Sequence, residues 1–253
     1  MKVFSLWMLF VWCFIGQIQG QEMKRGYYPD GKLRYQGYFK EGKPVGELLR
    51  YYPEGKLKAK MNYEGDTVSA VLYAKQGDFF MSGKYFQQKK TGIWTFFKGD
   101  KLVAREEYRE GVLNGTSVRF TDKGDIIEER HWKGGKLDGE WRLFFPDGDL
   151  RLQAFYVAGE LDGEMVSYFP DGQLRAKGRY KRNLREGEWV FYDASGELVR
   201  KRVYHQGRPE DAEEREMEEN RELDALINSG KKIPDPAVFV DDPEAYMRLT
   251  GME

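Results

Sequence analysis

Cysteine and histidine are almost missing from this chain. Among 253 residues there is one cysteine, Cys13, and two histidines, His131 and His205. Cys13 lies inside an apolar leader, so a chain processed after that leader has neither a disulfide framework nor a redox thiol. His131 and His205 fall in different units of a repeat and have no cysteine to join them. That leaves no metal-ligand set and no Cys/His nucleophile pair. Excess charge of one sign is missing too. Lysine plus arginine number 41 against 42 acidic residues, and removing the leader leaves 40 against 42. Such a balance supplies no global field for nucleic acid. The glycines follow a hairpin period rather than opening a helix, which excludes a phosphate-binding loop. Asp and Glu recur at turn positions, where bonding to the backbone accounts for them, instead of converging as a catalytic pair. The expectation is a protein that is not an enzyme, with no catalytic, cofactor-binding or metal-binding residues.

What the chain has in abundance is a repeat of about 24 residues running from near Tyr27 to near Tyr204. Its turns read Pro29-Asp30-Gly31, Pro53-Glu54-Gly55, Lys75-Gln76-Gly77, Asp122-Lys123-Gly124, Pro146-Asp147-Gly148, Pro170-Asp171-Gly172 and Ala194-Ser195-Gly196, with a shorter one at Lys98-Gly99-Asp100. An aromatic residue precedes every turn: Tyr27, Tyr51, Tyr73, Phe97, Phe120, Phe144, Tyr168 and Tyr192. An apolar residue follows it, and six residues later comes another aromatic, as in Leu150 and Tyr156. Fixed self-similarity at this period means stacked supersecondary units. A three-residue Pro-Asp-Gly loop closes a β-hairpin and sets Phe144 opposite Leu150. A separation of six keeps the leucine and the distal aromatic on one strand face. A second glycine (Gly46, Gly92, Gly115, Gly139, Gly163, Gly187) is read as the turn into the next unit. The predicted fold is an all-β repeat: an extended antiparallel meander of about eight hairpins, stable only through stacking on neighbours.

The run Gly139-Glu140-Trp141 through Phe144-Phe145-Pro146-Asp147-Gly148 to Leu150 and Tyr156 resembles the MORN repeat, and more narrowly the bacterial variant in YwqK-type antitoxin components. The resemblance covers roughly residues 27 to 207 and implies scaffolding, protein binding or membrane attachment. The chain departs from the pattern between Gly65 and Gly77, where Thr67-Val68-Ser69-Ala70-Val71 replaces the glycine-led strand, so a distorted unit is expected there.

The ends are different in kind. Lys2 and the apolar run Val3 to Ile15 read as a signal peptide over residues 1–20, which places the protein in the periplasm, the cell envelope or outside the cell. A retained short anchor is the alternative reading. The repeat domain is assigned to 21–207. From 208 to 253 a charged helix and a final short helix are expected to form a helical cap over the sheet edge or a docking tail.

A second column stands three residues before the turn aromatics: Leu48, Trp94, Ser117, Trp141, Met165 and Trp189. The odd offset puts it on the opposite face. If the sheet is one layer, Leu48, Trp94, Trp141, Met165 and Trp189 form an exposed interaction stripe alongside Leu143 and Phe191. Burial by curling of the sheet, or against a cap or second copy, is the competing reading. The function expected is an exported, non-catalytic scaffold that binds a protein partner. Envelope attachment through lipid headgroups or glycans, antitoxin-like neutralisation of a partner, and self-association stand as alternatives.

Overall fold

A computed structural model describes residues 20–76, 78–210 and, farther on, 224, 225, 227 and 228. Seventeen strands follow one another: β1 (Glu22–Tyr27), β2 (Leu33–Lys40), β3 (Lys43–Tyr51), β4 (Leu57–Glu64), β5 (Thr67–Tyr73), β6 (Phe79–Phe86), β7 (Lys89–Lys98), β8 (Lys101–Arg109), β9 (Val112–Phe120), β10 (Ile126–Lys133), β11 (Lys136–Phe144), β12 (Leu150–Val157), β13 (Glu160–Tyr168), β14 (Leu174–Lys181), β15 (Leu184–Tyr192), β16 (Leu198–His205) and β17 (Arg208–Pro209). All belong to one antiparallel sheet in which each strand pairs with its neighbours in sequence. The result is an open meander of eight hairpins. The leader at 1–19 and most of the expected helical cap lie outside the described residues.

The Pro-Asp-Gly loops form as their residue types dictate. At Phe145 the backbone N–H donates to the Asp149 carbonyl at 2.8 Å, and Gly148 N–H donates back to Phe145 at 2.9 Å. Gly148 sits at φ +95, open to glycine at little cost. Phe144 pairs with Leu150, one step out of the Leu143 to Leu152 register. The same pairing recurs at Tyr27/Leu33, Tyr51/Leu57, Phe97/Leu102, Phe120/Ile126, Tyr168/Leu174 and Tyr192/Leu198. This shift corrects the parity argument. The six-residue step from Leu150 to Tyr156 spans a bulge, and the leucine is half-buried while the tyrosine is 2% exposed.

The distorted unit falls where expected. Tyr73 pairs with Phe80 instead of Phe79, and Ala74 N–H reaches the Phe79 carbonyl at 2.9 Å across a loop one residue longer than the others. The next loop is one shorter, with Lys98 paired directly to Lys101.

The second glycines are not the connecting turns. Those turns lie four residues earlier, as two-residue loops with both residues at positive φ, such as Ala158 (+52) and Gly159 (+93) between the pair Val157 and Glu160. This is the turn geometry that matches strand twist. Gly163, at φ +141, sits inside β13 at a bulge where Ala154 pairs with Met165 but Tyr156 pairs with Leu161. A Cβ there would lie 2.8 Å from the Phe155 Cβ, so glycine is needed on both counts. Nearly every hairpin thus carries one bulge near its tight turn, and most connections carry another. Bulges bend strands and increase twist, and the sheet curls around one of its faces.

The connecting turns also lock to one another. Gly111, Gly135, Gly159, Asn183 and Gly207 donate their N–H to the carbonyls of Lys90, Leu113, Leu137, Leu161 and Arg185, at 2.7–2.9 Å. This ladder runs along one margin of the sheet in addition to the strand pairing.

Candidate functional site

The curl decides which side chains a partner can touch. Trp94, Met165 and Trp189 are 0% exposed, Trp141 is 1% and Leu48 is 7%. The stripe expected to be an exposed interaction face is therefore core, and Leu143 and Phe191 pack against it. The odd offset from the turn aromatics holds, but the buried side is the tryptophan side. Two clusters fill it, one centred on Trp94 with Met81, Phe96 and Tyr108, the other on Trp141 and Trp189 with Leu152, Tyr156 and Tyr180.

Two units share one arrangement. Trp94 meets Tyr85 and Tyr108 edge-on at 5.0 and 6.5 Å, and Trp189 meets Tyr180 and Tyr204 at 5.1 and 6.3 Å. Each indole N–H donates to a backbone carbonyl at 3.2 Å, that of Lys84 or Arg179. Over each ring lies a cation from the same strand: Lys90 Nζ is 4.6 Å from the Trp94 centroid, and the Arg185 guanidinium is 4.7 Å from that of Trp189. Both are cation–π contacts in a desolvated setting. Lys90 and Arg185 occupy the column held elsewhere by Leu113, Leu137 and Leu161. That leucine-to-cation exchange is the sequence signal that could have revealed them.

Arg185 links the sheet to a later segment. Its Nη2 donates to the Asp224 carboxylate at 3.0 Å, and its Nη1 donates to the Tyr204 hydroxyl at 3.3 Å. Burial works against the guanidinium charge, but Tyr180, Asp224 and Tyr204 outweigh it and raise its pKa. Ile227, 4% exposed, joins the same core cluster, and residues 224, 225, 227 and 228 are helical.

A second polar group sits in the core between these units. Glu128, 3% exposed, accepts from Arg119 at 3.1 Å, from Arg130 Nε at 2.9 Å and from the Trp141 indole at 2.9 Å. The Arg130 Nη2 contact to Glu128 completes the fork. Tyr156 lies nearby, and burial pushes its hydroxyl up to about 12.

The other face is open. Along its central row, Lys60, Arg142 and Lys201 form ion pairs with Glu47 (2.8 Å), Glu129 (2.8 Å) and Glu188 (2.7 Å). Ile93 and Val157 are each 56% exposed there and Phe155 is 37%. A depression of about 740 Å³ crosses β4 to β7, with Lys60, Asn62, Ser69, Ser82, Lys84 and Thr95 among its walls. His131 and His205 stay in separate hairpins, where His131 Nδ1 meets the Glu140 carbonyl and His205 Nε2 meets Glu210. Among the described residues no His, Cys, Asp or Glu cluster is arranged to hold a metal ion.

With this geometry in view, the likenesses to known proteins fall into place. The model of the MORN repeat variant matches residues 24–41, 44–64, 137–158, 161–182 and 185–206. These are the hairpins β1–β2, β3–β4, β11–β12, β13–β14 and β15–β16. Repeats of this kind are generally found in protein-interaction or membrane-binding repeat proteins. No curated protein matches the chain. Among solved structures, a protein of unknown function from Bacteroides fragilis covers 74% of this chain and 96% of its own, at 10% identity with a TM-score of 0.10, which carries no argument. Five of the eight hairpins of this chain thus match the model of the MORN repeat variant.

Proposed function

We propose that the chain is an exported, non-catalytic repeat scaffold that binds a partner protein through the open face of its sheet. The observation that supports this most strongly is the division of labour between faces. The tryptophan column is consumed by the core, while the opposite side carries ion pairs on both flanks of the sheet and adds solvent-facing Ile93, Phe155 and Val157. Apolar groups set among polar ones on a rigid surface suit protein contact. Lys60, Arg142 and Lys201 are tied to glutamates, which lowers the attraction for anionic lipid along most of the face and favours protein over an envelope-attachment role. Antitoxin-like neutralisation is one form such binding could take. The apolar leader at residues 1–20 supports export.

The C-terminal segment acts as the cap in this reading. Asp224 neutralises Arg185, and Ile227 covers the last tryptophan unit, so the segment seals the core at the end of the meander. Repeat arrays need such terminal capping.

The experiment is affinity capture from envelope extract with the tagged chain beside a Phe155→Ser/Val157→Ser form of equal melting temperature. A protein retained by the first and lost by the second supports the face. Equal retention by both counts against it.

A further inference from the structure

The open face changes character in the middle of the sheet. Four residues before the turn aromatic, the odd-numbered strands carry a glutamate in β3 (Glu47), β11 (Glu140), β13 (Glu164) and β15 (Glu188). In β5, β7 and β9 the same position holds Ser69, Ile93 and Thr116. The acidic column is therefore missing over three consecutive hairpins, the same three that the repeat model does not match. The cations are not missing with it. Lys60 and Lys84 line the depression there, and Arg105 stands across from Thr95 on the next strand.

Pairing fixes the layout. Lys60 faces Val71, Val71 faces Ser82, and Ser82 faces Thr95, while Asn62 faces Ser69 and Ser69 faces Lys84. Short side chains form the floor: the Ser82 and Thr95 hydroxyls share a hydrogen bond at 2.8 Å, and beneath them Gly83 admits the Trp94 indole from the core side. Lys60 is held by Glu47 at one edge. Lys84 makes no ion pair with any described residue, and neither does Arg105. Of the nearby acids, Glu64 accepts from the Asn62 amide at 2.7 Å at the rim, and Glu107 accepts from the Thr116 N–H at 3.4 Å on the far side of its strand.

We infer that this trough is a binding site for an acidic, extended peptide segment of a partner protein. Four strands at about 4.8 Å spacing span about 14 Å, the reach of four to five extended residues. Glutamate or aspartate side chains meet Lys84 and Arg105, the peptide backbone meets the serine and threonine hydroxyls, and an aliphatic residue covers Ile93. A small anion would leave Ile93 and most of the floor uncovered. The inference rests on the open-face reading and adds to it the location and the charge of the partner.

The test is fluorescence anisotropy of the full chain with a labelled hexapeptide alternating glutamate and valine, beside its glutamine analogue, with inorganic phosphate as competitor. The expected result is at least tenfold tighter binding of the glutamate peptide. Lys84→Glu loses tenfold or more, Lys84→Gln loses several-fold and Ile93→Ser about threefold, while Lys177→Glu, on the open face of β14, stays within twofold. Equal losses in Lys84→Glu and Lys177→Glu would overturn the trough in favour of a diffuse surface charge and leave the open-face reading standing. Displacement by phosphate with no effect of Ile93→Ser would overturn the peptide in favour of a simple anion. No binding of the glutamate peptide would overturn the trough alone, because the capture experiment with Phe155 and Val157 judges the open face separately.

Discussion

The indole of Trp189 lies directly on Gly178: a Cβ at position 178 would come within 2.1 Å of the ring. Gly83 bears the same relation to Trp94, at 2.3 Å. Neither contact is with a flexible side-chain end, and both tryptophans are fully buried. Gly178→Ala and Gly83→Ala are therefore each expected to destabilise by about 3 kcal/mol, at the upper end of overpacking costs. Gly172→Ala is the control, because that glycine sits at φ +80 with nothing within 4 Å. It pays only the left-handed backbone strain, about 1–2 kcal/mol. Urea unfolding midpoints of the three variants distinguish a packing role from a turn role.

How much of this was legible in the sequence follows from what each residue reports. Phe144 opposite Leu150 needed only the loop length and the hairpin rules, and the two residues do pair. The face that becomes core did not follow, because parity counting assumes regular strands. Leu152 pairs with Leu143 but Leu150 pairs with Phe144, so Arg151 is an extra residue that puts Tyr156 on the side of Trp141, where both are buried. Buried Glu128 and Arg130 were invisible for a related reason: nothing in a charged Glu-Glu-Arg run says which members face inward. The link from Asp224 to Arg185 spans 39 residues and has no local signal.

Glu128 supports the core electrostatically. It accepts from Arg119, Arg130 and Trp141, and its removal leaves Arg130, 2% exposed, without a counter-charge. Breaking a buried pair from one side costs about 3–5 kcal/mol. Glu128→Gln is expected to lower the urea midpoint accordingly. A Glu128→Leu/Arg130→Leu double variant recovers part of the loss, since neither charge then remains buried although the Trp141 indole N–H still lacks its acceptor.

Tyr156 gives the protein an alkaline limit. Its folded pKa of about 12 exceeds the ordinary value near 10, so between these values the unfolded tyrosine ionises while the folded one holds its proton. Stability from this group is full below pH 10 and falls as pH rises toward 12, by about 2 kcal/mol in all. The buried hydroxyl has no hydrogen-bond partner among the described residues. Tyr156→Phe is accordingly expected to be as stable as the parent at pH 7 and less sensitive between pH 10 and 12, read from chemical denaturation at a series of pH values.

The contact between Asp224 and Arg185 makes a kinetic prediction. Asp224→Asn weakens a pair whose carboxylate is half-exposed, a change of about 1 kcal/mol or less. Arg185→Leu restores the leucine of the repeat and removes the need for the acid. In both variants, glutamyl endopeptidase is expected to cut beyond β17 several-fold faster while the sheet keeps its melting temperature. Unchanged cleavage would show that Asp224 does not hold the segment in place.

The central claim is that the tryptophan column is core and the opposite face is free for a partner. Acrylamide quenching of tryptophan fluorescence tests it most directly, in a chain beginning at Gln21 with Trp132→Phe, so that only Trp94, Trp141 and Trp189 emit. Blue-shifted emission and quenching at least fivefold weaker than for the urea-unfolded chain is the predicted result. Quenching close to that of the unfolded chain, under conditions where circular dichroism shows the sheet intact, would place the column at the surface and contradict the account.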